Sequence, residues 1–271
     1  MFLKISFPFQ LEGADIANIV NTAAVRAATK GIMVSMDLLR DAQDDTLIGP
    51  ERKTMVMKSK EKEMTAYHEA GHALVNLYSN TPFTIRSVTI VPRGNALGYV
   101  FQTPEADSWL DTKQDFLAHV AVALGGRAAE ELVYGPQQIT AGAGSDLEQA
   151  TSIVKNMVMK YGMSESIGFT FHADLRGQKN QLSEKTKQRI DNEVSSILQQ
   201  QYVFAKQILT QHEKEHHLLA KALLEYETLT LDELKQVIKG KKLNRPIIDT
   251  KPSTETLKPH DKKEDLILKK K

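Results

Sequence analysis

The chain has 271 residues, a hydrophobic content of 41% and a formal net charge of +1. This size allows one sizeable core, and a charge so near zero produces no overall field that would attract nucleic acid or acidic lipid. The absence of cysteine excludes disulfide scaffolds and thiolate zinc sites, so any zinc site must use histidine and carboxylate ligands.

The N-terminal part of the chain predicts two short helices. Apolar residues at helical spacing indicate an amphipathic helix over about 13–30, and Gly31 is placed to end it. Ser35 can cap a second short helix. Residues 1–9 are too short and too interrupted by proline for a signal peptide, and no apolar run approaches the roughly 20 residues of a membrane helix. We therefore expect any membrane link to lie outside this chain.

The next stretch predicts a helix followed by a β-hairpin. Thr65 is placed to cap a helix that runs through Tyr78. Strand-like patterns at 87–91 and 98–102 flank a Pro-Arg-Gly-Asn turn at 92–95, which is typical of a hairpin.

The remainder of the chain predicts helices. One runs from Thr112 to Leu132, and its Gly125–Gly126 pair indicates that another backbone packs closely there. Two later helices have a capping-box pair at their start, Ser145 with Glu148 and Thr230 with Glu233. Two more helices are predicted to follow from Ser183. The predicted fold class is mainly α with a small β-hairpin.

Composition divides the chain into four predicted parts. Residues 1–50 form a small separate helical unit, and the charged stretch 51–63 is a linker. Residues 64–243 form the main domain, whereas 244–271, rich in lysine and poor in apolar residues, form a disordered tail.

Two segments, 68–72 and 212–216, spell His-Glu-x-x-His. On a helix the two histidines of either segment share a face and could bind one Zn²⁺, with the glutamate taking a proton from the metal-bound water. The first segment has uncharged flanks, as a buried catalytic helix requires. The second contains Lys214 and Glu215, which would be costly to bury. We interpret the first as a metalloprotease site and the second as a solvated helix face.

The third zinc ligand is not decided by spacing. Asp146 follows a glycine-rich loop at a predicted helix start, where it could be a ligand or simply complement the helix dipole. His119 could be a ligand or a core histidine. Glu130 or Glu131 could orient a ligand histidine or remain a surface charge.

From residue 54 to residue 243 the chain resembles FtsH-type membrane-anchored AAA+ zinc metalloproteases. The motifs that carry this resemblance occur in the same order and spacing as in the family, at 65–73, 91–94, 97–98, 125–131, 144–147 and 161–164. The late segments 226–229 and 240–243 are most similar to the mitochondrial i-AAA branch.

The resemblance implies a role for each matching residue. His68, His72 and Asp146 would bind one Zn²⁺ per chain, and Glu69 would be the general base and proton shuttle. Glu130 would be an outer partner of the zinc site.

The resemblance also implies substrates and partners. Gly98, Tyr99 and Val100 would belong to an edge strand that pairs with extended substrates, which suits unfolded or misassembled membrane proteins. The family implies a hexamer at a membrane, most similar to one in the mitochondrial inner membrane, and no nucleic-acid partner.

The first fifty residues resemble the helical lid of an AAA+ module through residues 11–18. ATP is expected in the family, but the sequence has no Gly-x-x-x-x-Gly-Lys-Ser/Thr phosphate loop. We expect the chain to be a fragment of a longer protease or, less favoured, to work with ATPase from other subunits. The alternative is a non-catalytic helical oligomerisation or adaptor module, which zinc stoichiometry and sensitivity to a chelator would distinguish.

Overall fold

The computed structural model describes residues 11–52, 55, 57–94, 96–104, 110–172 and 182–246. Within these residues the chain forms eight α-helices and one three-stranded sheet. In chain order the elements are α1 Gly13–Lys30, α2 Met36–Leu47, α3 Ser59–Tyr78, β1 Phe83–Thr89, β2 Tyr99–Pro104, α4 Lys113–Tyr134, α5 Gly144–Met159, α6 Glu184–Gln211, α7 Glu213–Tyr226, β3 Thr228–Thr230 and α8 Leu231–Ile238. The predicted mainly helical fold class is confirmed. No helix in these described ranges is both long and apolar enough to cross a bilayer.

Helices α1 and α2 form a hairpin with an apolar cluster of their own. The cluster joins the buried face of α1, which includes Ile19 and Ala23, to Leu38 of α2. Gly31 ends α1 with a φ of 64°, a left-handed conformation that glycine adopts without steric cost. The Ser35 hydroxyl accepts a hydrogen bond from Leu38 N, so the predicted cap of α2 is confirmed.

Helix α3 lies at the centre of the main core, packed against α4 and α7. Small side chains on α3 let α4 approach closely. A Cβ added to Gly71 would lie 2.7 Å from the Gly125 carbonyl oxygen and 2.5 Å from Ala129 Cβ. This contact explains the Gly125–Gly126 pair and brings the residues of α4 next to the centre of α3.

The sheet has the strand order β2-β1-β3, and both pairings are antiparallel. Strand β2 therefore pairs on one side with β1 and is an edge strand among the described elements. Strand β3 was not predicted, because its three residues pair only through contacts with β1.

Several predicted boundaries were wrong. Helix α3 begins at Ser59, inside the predicted linker 51–63, and Lys58 rather than Thr65 is its N-cap. Strand β1 starts at Phe83 and ends at Thr89, while Gly98 precedes β2 instead of lying in it. Helix α5 is entered from a short 3-10 turn, and Ser145 does not cap it. Of the predicted tail, residues 247–271 lie outside the described residues, as do residues 1–9.

The α1–α2 hairpin contacts the main domain through ion pairs. Arg86 of β1 pairs with Asp44 of α2. Arg93, after β1, contacts Asp45 at 3.0 Å and Glu51 at 2.6 Å. Arg86 also lies 3.7 Å from the centre of the Phe101 ring on β2. These contacts between charged groups help to hold the hairpin beside the sheet.

Candidate metal centre

Three side chains with metal-binding atoms converge between α3 and α5. His68 Nε2 lies 3.0 Å from His72 Nε2 and 3.1 Å from Asp146 Oδ2. His72 Nε2 lies 3.4 Å from Asp146 Oδ2. Within the described residues these three form the sole group of histidine and acidic side chains with this convergence. The structure thus brings together the three predicted ligands, whereas His119 lies elsewhere, with its ring against Phe83.

Local structure explains why these three side chains meet. His68 and His72 are one helical turn apart on the buried part of α3. Asp146 lies in the first turn of α5, where backbone N–H groups and the helix dipole favour a carboxylate. Its place at the helix start therefore also directs Asp146 at the two histidines.

The outer nitrogen of each histidine has a fixed acceptor. His72 Nδ1 lies 2.7 Å from the carbonyl oxygen of Val122, which can only accept a hydrogen bond, so this nitrogen carries the proton. His68 Nδ1 lies 2.8 Å from Glu130 Oε1. The Glu130 carboxylate is itself held by Thr140, whose N–H and hydroxyl donate at 2.6 and 3.0 Å. Such outer partners orient ligand rings and fix their tautomers.

The donor set fits a bound Zn²⁺. With both Nδ1 atoms protonated, the two Nε2 lone pairs face each other and the Asp146 carboxylate, an arrangement that calls for a cation. Tetrahedral zinc with bonds of about 2.0–2.1 Å would place its ligand atoms about 3.3 Å apart, close to the observed spacings. Space beside the rings is kept by Gly126, since a Cβ added there would lie 2.5 Å from both His68 Cε1 and His72 Nε2.

The charges of the site are strongly coupled when no metal is bound. Burial lowers the pKa of His68, but its hydrogen bonds to Asp146 and Glu130 outweigh burial and raise the pKa to about 10. Burial raises the pKa of Asp146, yet the contacts with His68 and His72 hold it well below its usual value. Metal binding at this site therefore competes with protonation of His68.

Glu69 lies beside the ligands with almost no contact with solvent. Its exposed fraction is 6%, and this burial raises the pKa of the carboxyl although the neighbouring His68 and His72 oppose the shift. A Cβ added to Gly98 would lie 2.6 Å from both Glu69 Cγ and Oε1. The backbone just before β2 therefore passes directly over the Glu69 carboxyl, which joins the predicted edge strand to the predicted base.

The prediction of a solvated face for the second His-Glu-x-x-His segment was wrong for His216. Lys214 is exposed, whereas His216 is 3% exposed and its Nε2 lies 2.9 Å from the carbonyl oxygen of Tyr67. The sequence does contain a signal for this burial, since His216 is in helical register with the buried Leu219 and Leu223.

Glu131 does not join the metal centre. Its carboxylate accepts hydrogen bonds from Tyr202 and Lys206 of α6. Sequence reasoning also gave no role in the site to the surrounding residues Val122, Gly126, Thr140, His216 and His217.

The chain is similar to known proteins over most of its length. The profile of peptidase family M41 matches residues 55–237. The mouse protein "ATP-dependent zinc metalloprotease YME1L1" is 45% identical over 232 residues, which cover 85% of this chain and 32% of the relative. "ATP-dependent zinc metalloprotease FtsH" of Rickettsia typhi is 45% identical over 239 residues, covering 86% of this chain and 38% of the relative.

A third relative, the Caenorhabditis elegans "ATP-dependent zinc metalloprotease YME1 homolog", is 45% identical over 244 residues, covering 86% of this chain and 33% of the relative. The chain thus spans about a third of the length of the relatives that it matches. The resemblance to FtsH-type zinc metalloproteases is confirmed, and the similarity to YME1L1 agrees with the i-AAA likeness. Because the family profile covers most of the chain, the protein belongs to peptidase family M41.

Proposed function

We propose that this chain hydrolyses peptide bonds as a zinc metalloendopeptidase, with His68, His72 and Asp146 as the metal ligands and Glu69 as the general base. The observation that supports this most directly is the convergence of three donor atoms within 3.4 Å of one another, beside a buried glutamate. Three protein ligands leave a fourth position for water or substrate, as catalytic zinc sites require.

Each of these side chains would have a distinct role in the hydrolysis. His68, His72 and Asp146 hold the ion, while Glu130 and the Val122 carbonyl keep the two imidazoles in place. Bound Zn²⁺ supplies a Lewis acid that polarises the substrate carbonyl and makes a water molecule more acidic.

The Glu69 carboxylate takes the proton of the attacking water on a carboxylate oxygen and later returns it to the leaving amine. Its raised pKa makes Glu69 a stronger base toward the water, and a pKa nearer to the working pH suits proton transfer in both directions.

The substrate would bind as an extended strand. Tyr99 and Val100 lie on the edge strand β2, and Gly98 brings the same backbone next to Glu69. Main-chain pairing along this edge reads little side-chain sequence, which suits unfolded or misassembled membrane proteins as substrates.

The relatives' names support ATP-dependent proteolysis, and this chain spans about a third of their length. We propose that ATP is used by an ATPase ring encoded outside this chain, that the assembly is a hexamer, and that it works at a membrane, with the mitochondrial inner membrane as the favoured location. Residues 1–50 would be the C-terminal lid of the ATPase module and 64–243 the peptidase domain. The separate apolar cluster of α1 and α2 supports this division.

The first test is cleavage of a short, unstructured fluorogenic peptide by the purified chain, with Zn²⁺ or with a chelator. A short peptide needs no unfolding, so the ATPase ring matters least. We expect zinc-dependent cleavage that Glu69→Gln abolishes at unchanged zinc content. We also expect Asp146→Asn to lower zinc occupancy. Cleavage that survives Glu69→Gln would exclude this glutamate as the base.

The alternative, a non-catalytic oligomerisation or adaptor module, is not favoured. An adaptor would not need a buried carboxyl next to three converging ligand atoms, and a structural zinc site is usually closed by four protein ligands. A folded chain that binds no zinc, or binds it without cleaving peptides under any assembly state, would restore this alternative.

A further inference from the structure

Helix α7, which begins with the second His-Glu-x-x-His segment, lies antiparallel along the metal-binding helix α3. At one end Lys62 Nζ of α3 lies 2.6 Å from Glu227 Oε1, just after α7. At the other end the Tyr78 hydroxyl donates to Glu215 Oε2 at 2.6 Å. His212 takes part in the same contact, since its ring stacks on the Tyr78 ring with 3.7 Å between the ring centres. The segment therefore follows α3 along its length.

In the middle of this contact, two histidines of α7 hold Tyr67, the residue before the ligand His68. His216 Nε2 lies 2.9 Å from the Tyr67 carbonyl oxygen, so this nitrogen must be the donor. His217 Nδ1 lies 2.9 Å from the Tyr67 hydroxyl. Both imidazoles pack edge-on against the Tyr67 ring, with ring centres 5.3 Å apart for His216 and 5.5 Å apart for His217. The first bond is partly buried and the second is exposed, so water competes more strongly with the second.

Tyr67 and His68 are thus held from two sides. The Tyr67 ring also meets Tyr134 of α4 edge-on at 5.9 Å. Tyr134 lies one helical turn after Glu130, which accepts the His68 Nδ1 proton. Helix α4 therefore fixes the His68 ring, and helix α7 fixes the backbone just before it.

The metal centre needs α3 to be held accurately, since ligand bond lengths are fixed to about 0.2 Å. Close contact of small residues, such as Gly71 with Ala129 and the Gly125 carbonyl, fixes α3 on its α4 side. The contacts of Tyr67 with α7 fix it on the opposite side.

We propose that His216 is a positioning residue of the metal centre: through the Tyr67 carbonyl it fixes the rotation of α3, so that His68 and His72 both face Asp146. His217 supports the same contact from the hydroxyl end. This inference rests on the proposed zinc peptidase function and assigns the second His-Glu-x-x-His segment a task without metal. Burial lowers the pKa of His216, which agrees with a neutral ring whose Nε2 bears the proton.

The test compares zinc affinities of folded variants by competition with a chromophoric chelator, together with the visible spectrum of the Co²⁺-loaded protein. His216→Leu and His216→Asn remove the donor from the Nε2 position, whereas His216→Gln restores an N–H at about the same reach. We expect the first two to lower zinc affinity about 10-fold and to alter the Co²⁺ spectrum, and Gln to recover affinity to within about threefold of the parent.

The matched control is His212→Asn, which disturbs the same helix pair at Tyr78, away from the ligands. We expect it to lower the Tm and to leave zinc affinity and the Co²⁺ spectrum unchanged. Equal zinc affinity for the Leu, Asn, Gln and parent residues at 216 would overturn the proposal and leave His216 a packing residue. An equal loss of zinc affinity in the His212 control would overturn it too. Failure of the parent chain to bind one zinc would instead refute the proposed function.

Discussion

Gly126→Ala should abolish tight zinc binding while the chain stays folded. The added Cβ would lie 2.5 Å from His68 Cε1 and from His72 Nε2, well inside van der Waals contact. Neither ring can retreat freely, because their outer nitrogens are bonded to Glu130 and to the Val122 carbonyl. Moving them costs about 1–3 kcal/mol of folding free energy, as overpacking does in cores. We expect zinc affinity to fall by at least about 100-fold, the upper range for disturbed outer partners, because here the ligands themselves are displaced.

Gly144→Ala is the matched control for this substitution. It is also a helical glycine, lies two residues from Asp146, and a Cβ added there meets nothing within 4 Å. Gly126 lies inside α4, where the change to alanine gains about 1 kcal/mol of helix propensity, whereas Gly144 is the first residue of α5 and gains less. Propensity therefore favours the folded state in both variants, and only Gly126→Ala adds a steric contact. Zinc affinity is measured by chelator competition and folding by urea denaturation of the metal-free proteins. Parental zinc affinity in Gly126→Ala would refute the placement of the metal between these two histidines.

Three further substitutions test other contacts. Gly98→Ala would place a Cβ 2.6 Å from Glu69 Oε1. It should lower kcat for a fluorogenic peptide about 100-fold without loss of zinc. An unchanged kcat would show that the backbone at residue 98 does not affect Glu69. Gly71→Ala, which forces α3 from α4, should lower the free energy of unfolding by about 1–3 kcal/mol in urea, where Gly144→Ala should not; equal curves would contradict the close helix contact.

The third substitution tests how the stability of the fold depends on pH. Burial lowers the pKa of His119 to about 4, against 6.5 in the unfolded chain, so the unfolded chain binds more protons between these values and stability is lost as the pH falls. From pH 7.5 to 5 the parent should therefore lose about 2 kcal/mol more than His119→Leu, measured by denaturation at both pH values; equal losses would place His119 in contact with water.

The helices that local signals define were predicted well. Helix α1 spans the predicted 13–30 because a regular apolar stripe and a terminal Gly31 act within the helix itself. Helix α3 was predicted to start too late, because its lysines and glutamates at 59–63 were read as a linker. These residues are good helix formers, and the helix simply extends into solvent before it enters the core. Strand β3 had no local signal, since its pairing partner lies far away in the sequence.

Sequence spacing alone predicted the pair of histidines in the site. The roles of the other site residues were assigned by resemblance to the family. The spacing of His68 and His72 places two imidazoles on one helix face, whatever the rest of the chain does. Asp146 could not be chosen by spacing, because an acid at a helix start has a sufficient local reason to be there. The task of Gly126 was also hidden. The glycine pair signals a close approach, but which atoms approach depends on how α4 is rotated against α3.

The two His-Glu-x-x-His copies differ in the partners of their ring nitrogens, which no spacing rule contains. In the first copy both Nδ1 atoms face acceptors, so the Nε2 lone pairs of His68 and His72 are left to meet Asp146. In the second, His216 gives its Nε2–H to a carbonyl and has no lone pair at that position to offer a cation. The charges in the second motif predicted a solvated face, whereas His216 is buried and donates its Nε2–H to a carbonyl. The decisive fact is the direction of one N–H bond, and that direction is set by the packing of α7 on α3.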